Sequence, residues 1–188
     1  QKNSFMLDSL GKKRFPEWLN IWDRPVSVGE TGSRLFDSEG VATAEMPIVE
    51  NGVVKEYFVN TYMSRKMGVE ATVEDATRPV VLPCFAPSVA EPVEATCGKE
   101  ELMRIVGEGI LVTGFNGGNS NSATGDFSFG VEGFLFKDGK IVHPVREMLI
   151  TGNLLTLWNN LLAAGNDARF CKSKLIPTLA FGNVDFSA

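Results

Sequence analysis

The distribution of apolar and polar positions is strongest in the second half of the chain. Residues 109–115 read as a strand, and 126–136 repeat a strand pattern broken by glycines. Lys137-Asp138-Gly139-Lys140 reads as a hairpin turn, with 141–150 as the return strand. An earlier hairpin is expected from 41–49, the turn Glu50-Asn51-Gly52 and the return 53–61. Asn-Gly suits a type I′ turn, whose two central residues need positive φ. A last strand is expected over 175–184, past Ser173.

Helical spacing is rarer. Residues 60–68 form one short helix, ended by Gly68. Residues 99–106 place Leu102, Ile105 and Val106 on one face, with Thr96 as the cap and Glu100 and Glu101 in the first turn. Residues 153–164 read as the longest helix, its apolar positions Leu154, Leu157, Trp158, Leu161 and Leu162 at helical spacing, closed by Gly165 and Asn166. Prolines 79, 83, 87 and 92 make 79–92 an extended surface connector that cannot lie inside a sheet. Residues 1–40 are loop-rich, with Trp18, Leu19, Ile21 and Trp22 as an apolar anchor and glycines 29, 32 and 40 as punctuation. Six to eight strands and two or three short helices predict an α+β domain over residues 1–188. It is mostly antiparallel, a sandwich or partly closed barrel.

Composition narrows the function. The 188 residues are 44% hydrophobic and 22% charged, a globular balance. Eighteen basic against 23 acidic side chains leave a net charge of −5. The one basic run, Lys12-Lys13-Arg14, reads as a solvated turn, so direct nucleic-acid binding is not expected. No apolar run approaches the roughly 20 residues of a membrane span, and no secretory signal opens the sequence. Cys84, Cys97 and Cys171 are widely spaced and read as buried free thiols of a cytoplasmic protein. His143 is the only histidine, which rules out a two-histidine zinc motif within these residues.

Few residues read as chemistry. His143 sits in a strand beside Pro144, and Cys171 beside Lys172; both read as structural or surface residues. Asp37-Ser38-Glu39-Gly40 reads as turn chemistry rather than an acid/base pair. The 116–125 stretch lacks the ending of a phosphate-binding loop, and no helix follows it. Its glycines permit close backbone approach, so a peptide or a neighbouring subunit could lie against it. Candidate peptide-binding residues are Asn116, Gly117, Gly118, Thr124, Gly125 and Asp126, acting by strand addition at an exposed edge or through the glycine loop.

Several segments resemble, in order and spacing, the C-terminal half of the TldD/PmbA family. They are Phe5-Met-Leu-Asp-Ser-Leu-Gly11, Phe36-Asp-Ser-Glu-Gly-Val41, Glu50-Asn-Gly-Val-Val54, Asn60-Thr-Tyr-Met-Ser-Arg-Lys-Met-Gly68, Thr124-Gly-Asp-Phe-Ser128, Ile150-Thr-Gly-Asn-Leu154 and Ala164-Gly-Asn-Asp167. The chain is most similar to the PmbA, or TldE, branch, often labelled a modulator of DNA gyrase. The resemblance implies an N-terminal α/β part that precedes this region. It also implies a cytoplasmic proteolytic dimer, with a TldD-like subunit or a second copy, that trims unfolded or precursor peptides. Zinc is implied for the TldD-like partner, through an HExxxH motif and a Thr-Cys-Gly segment. After Gly165-Asn166-Asp167 this sequence runs Ala-Arg-Phe-Cys-Lys-Ser-Lys instead. No catalytic residue, metal ligand or cofactor is therefore assigned within it. The expected role is the non-catalytic subunit. The alternatives are the C-terminal part of a zinc peptidase whose HExxxH lies upstream, and a stand-alone peptide-binding module.

Overall fold

The structure, a computed structural model, describes residues 4–89 and 97–187. Three open antiparallel sheets and three short helices form a sandwich-like α+β fold. In chain order the elements are β1 (Ile21–Asp23), β2 (Met46–Glu50), β3 (Val53–Val54), α1 (Thr61–Met67), β4 (Pro79–Val81), β5 (Cys84–Phe85) and α2 (Lys99–Val106). Then follow β6 (Glu108–Ser120), β7 (Asp126–Lys137), β8 (Lys140–Asn153), α3 (Leu154–Asn159), β9 (Leu161–Ala164), β10 (Leu179–Phe181) and β11 (Asp185–Ser187). The sheets run β3-β2-β1-β4, β10-β9-β5 and β11-β8-β7-β6.

The first two sheets share the main core. Leu19, Val49, Val81, Cys84, Leu161 and Ala164 meet there, with Phe15, Trp18, Ile21 and Trp158 packed around them. Trp18 stays in register because its indole N–H donates to the Leu161 carbonyl at 3.1 Å. The apolar anchor expected from Trp18, Leu19 and Ile21 thus joins two sheets. On the other side, Cys97, Leu102 and Ala163 form a second cluster beneath α2. A third cluster, Phe127, Val131 and Ile150, seats α3 against the long sheet.

Local chemistry explains the helix ends. The Asn60 side chain accepts from Met63 N at 2.9 Å, and Gly68 closes α1 at φ 68°. Helix α2 covers the expected residues and buries Leu102 and Met103, with Ile105 packed on its cluster. Its N-cap is Gly98; Thr96 lies outside the described residues.

Several expectations are corrected. Leu161–Ala164 does not continue the helix of 153–164 but forms the central strand of the second sheet. The Asn160 N–H caps a helix of only six residues. A strand buried on both faces has the same unbroken apolar run as a buried helix, so spacing alone could not separate them. The stretch 79–89 is no surface connector: Val80, Val81, Cys84 and Ala86 are buried, and it supplies β4 and β5. Both are edge strands, where proline is tolerated; residues 90–92 lie outside the description. The early hairpin is shorter than expected, reaching only Val54 on its return. The final strand is two, β10 and β11, in different sheets. The described residues contain eleven strands, not six to eight. No helix among them is long and apolar enough to cross a membrane.

Candidate functional site

The long sheet carries the candidate peptide-binding residues. Half of the expected 116–125 loop is strand: β6 runs to Ser120, and only 121–125 form the connection. Asn116, Gly117 and Gly118 therefore lie on an edge strand, and Thr124, Gly125 and Asp126 at the hairpin tip.

Both neighbours of β7 are bulged. Between Glu108 and Ser120, β6 has two more residues than its partners from Lys137 to Phe127. Between Lys140 and Asn153, β8 has two more than its partners from Lys137 to Asp126. Extra residues bend a strand and increase its twist. Two bulges sit at the same level, near Thr113 on β6 and at Arg146-Glu147 on β8, either side of Glu132-Gly133. Glu147 takes φ 58°, a left-handed conformation rare for a residue with a side chain. At Gly133 the Leu111 carbonyl leaves no room for a Cβ.

A groove of about 420 Å³ opens over this bulged centre, lined by Asn116, Gly130, Glu132, Arg146, Glu147 and Leu149 among others. Asn116 Nδ2 donates to Glu132 Oε2 at 3.3 Å. Arg146 makes no ion pair among the described residues. A carboxamide, carboxylates and a guanidinium in one groove of a sheet whose β6 edge is unpaired among the described residues offer both donors and acceptors to an extended peptide. Sequence reasoning found Asn116 but missed Glu132, Arg146 and Glu147. Their signal was charge inside the strand patterns Gly-Val-Glu-Gly and Val-Arg-Glu-Met.

The hairpin tip is a latch. Thr124 Oγ1 donates to Asp126 Oδ2 at 2.7 Å. Asn153 Nδ2 donates to the Thr124 carbonyl at 2.9 Å and to Asp126 Oδ1 at 3.0 Å. Asn153 Oδ1 accepts from Leu155 N, capping α3. The Thr124 and Asn153 donors hold the Asp126 carboxyl below its ordinary range. Asp126 and Asn153 are thereby committed to structure.

The other motif acids are spent in the same way. Asp37 accepts from the N–H groups of Val41, Glu39 and Glu74. Burial pushes its pKa up, but those donors and Arg34 outweigh it and leave the carboxyl lowered. The turn reading of Asp37-Ser38-Glu39-Gly40 holds, and Glu39 additionally accepts from Thr61 N and Oγ1. Asp167 accepts from Thr178 N, Thr178 Oγ1 and Lys99 N. Burial raises it too, and these donors bring it below its usual value.

The remaining candidates stay apart. His143 is exposed, its Nδ1 3.0 Å from the Pro144 carbonyl oxygen. Cys84 and Cys97 are buried free thiols, whereas Cys171 is exposed, against the expectation that all three are buried. Burial pushes Cys84 and Cys97 up, and Glu101 and Asp167 add to the effect at Cys97. Among the described residues no three His, Cys, Asp or Glu side chains converge as metal donors.

Residues 1–188 match the PmbA/TldA metallopeptidase C-terminal domain. The chain belongs to that family. It is 38% identical over 167 residues to a Haemophilus influenzae protein named a metalloprotease PmbA homolog, covering 89% of this chain and 35% of that one. It is 33% identical over 186 residues to metalloprotease PmbA of Escherichia coli O157:H7, covering 95% and 39%. A crystal structure from Bacteroides thetaiotaomicron, of a protein described as a candidate modulator of DNA gyrase, superposes with TM-score 0.89 and 46% identity, covering 100% of this chain and 40% of that one. The chain thus spans about two fifths or less of the length of these relatives.

Proposed function

We propose that this chain is the C-terminal domain of a PmbA-type, non-catalytic subunit in a cytoplasmic metallopeptidase complex. In this reading it receives extended peptide at the bulged centre of the long sheet, along the β6 edge. The substrate is an unfolded or precursor peptide. The partner is a TldD-like subunit or a second copy, and zinc with its ligands comes from outside residues 1–188.

The observation that carries the reading is the β6 edge, unpaired among the described residues, together with the groove across β6, β7 and β8 lined by Asn116, Glu132 and Arg146. Such an edge supplies backbone pairing, and the charged groove supplies side-chain selectivity. Family membership and the metalloprotease names of the relatives support it. So does surface area. The chain exposes 11286 Å², whereas a compact 20.5 kDa monomer exposes about 8,900 Å². An excess of this size supports large contacts with neighbouring polypeptide.

The test is expression of the full-length protein with and without its TldD-like partner, followed by zinc content and peptide cleavage. Cleavage should need both subunits. Arg146→Ala and Asn116→Ala should raise KM several-fold with little change in kcat. Cleavage by this protein alone with stoichiometric zinc would overturn the assignment.

A further inference from the structure

A second concavity, of about 480 Å³, lies where the segment after β9 folds beside the start of α2. Lys99, Arg169, Lys172 and Lys174 line it, opposed among the described residues only by Glu100 and Asp167. That local excess of positive charge sits in a chain of net charge −5.

Both carboxylates are already committed. Asp167 accepts the three hydrogen bonds from Thr178 and Lys99 given above. Glu100 pairs with Lys99 Nζ at 3.3 Å. Arg169, Lys172 and Lys174 are left exposed and without a carboxylate partner among the described residues. The segment bearing them is anchored. Leu175 N donates to the Pro79 carbonyl at 2.8 Å, and Val81 N to the Leu175 carbonyl at 3.1 Å. Leu175 is buried, while its neighbours Lys174 and Ile176 are exposed and line the concavity. Like charges held together on an anchored backbone repel, and a complementary anion removes that repulsion.

We infer that this cleft binds an acidic peptide segment, its carboxylates on Arg169, Lys172 and Lys174 and an apolar side chain against Ile176. Three free cations suit two or three carboxylates. They are fewer than the 6–10 phosphate contacts, roughly, of a protein held on duplex nucleic acid. The cleft uses none of the bulged-groove residues, so the inference stands independently of the proposed function.

The test is fluorescence anisotropy with the full-length natural protein. The probe is a labelled peptide of repeating Glu-Glu-Leu units, compared with its Gln-for-Glu counterpart and a single-stranded oligonucleotide. The acidic peptide should bind, weaken as salt rises, and exceed the Gln peptide by about tenfold or more. Lys172→Glu/Lys174→Glu should lower its affinity by about tenfold or more at unchanged melting temperature, and Arg169→Ala should weaken it less. Equal binding of the Gln peptide, or undiminished binding to the double variant, overturns the inference. An oligonucleotide that binds more tightly than the peptide and is lost in the same variant also overturns it.

Discussion

Asn153 offers a sharp test of how the long sheet is clamped. Its side chain caps α3 through Leu155 N at 3.0 Å and holds the hairpin tip through Thr124 O and Asp126 Oδ1. In Asn153→Ala, loss of the cap costs about 1 kcal/mol. Loss of the neutral bond to Thr124 O costs about 0.5–1 kcal/mol. The contact with solvent-facing Asp126 is left out of the sum, because water screens it. A total near 2 kcal/mol lowers the melting temperature of a domain this size by about 4–8 °C. The assays are thermal and urea unfolding, with hydrogen exchange at Asp126, Leu154 and Leu155. Exchange there should accelerate while the first-sheet core stays protected. Asn153→Asp separates the two roles. It keeps an acceptor for Leu155 N but sets a second carboxylate beside Asp126. That raises the folded-state pKa of one acid of the pair, so this variant should gain stability as pH falls from 7 towards 4. An Asn153→Ala variant as stable as the parent, or an Asn153→Asp variant with no such recovery, refutes the latch.

Leu161→Ala should cost about 2–5 kcal/mol, read as a lower urea midpoint, because Leu161 is 1% exposed between two sheets. Asp167→Asn should flatten the acid limb of stability. The folded Asp167 carboxyl lies below its unfolded value, so its contribution is complete above about pH 4 and fades as pH falls through the lowered folded value. Unfolding followed from pH 7 to 2.5 checks this, and parallel curves for parent and variant would refute it. An aromatic disulfide reagent should label Cys171 quickly and Cys84 and Cys97 only after denaturation, since the latter are buried and their thiols shifted up. Two fast thiols in the native protein would contradict that burial.

The sequence by itself determined the family, the antiparallel α+β class, the turns and two of the three helices. Those features are local. Asn60 and Gly68 fix the ends of α1 through their own geometry, and Asp138-Gly139 turns the second hairpin through positive φ. The order of the motifs was legible for the same reason. What the motifs do was not. Asp126 reads as a peptide contact, Asp37 as a turn residue and Asp167 only as part of a family motif, yet each is also held by a donor 27 to 68 positions away. Only tertiary structure brings those donors in. It also decided that Leu161–Ala164 is a strand, because a segment buried on both faces takes its form from its neighbours rather than its own period. The bulged groove and the cationic cleft are likewise tertiary. Glu132 and Arg146 come together because β6 and β8 each outgrow β7. Lys99 meets Lys172 because Asp167 ties the start of α2 to Thr178.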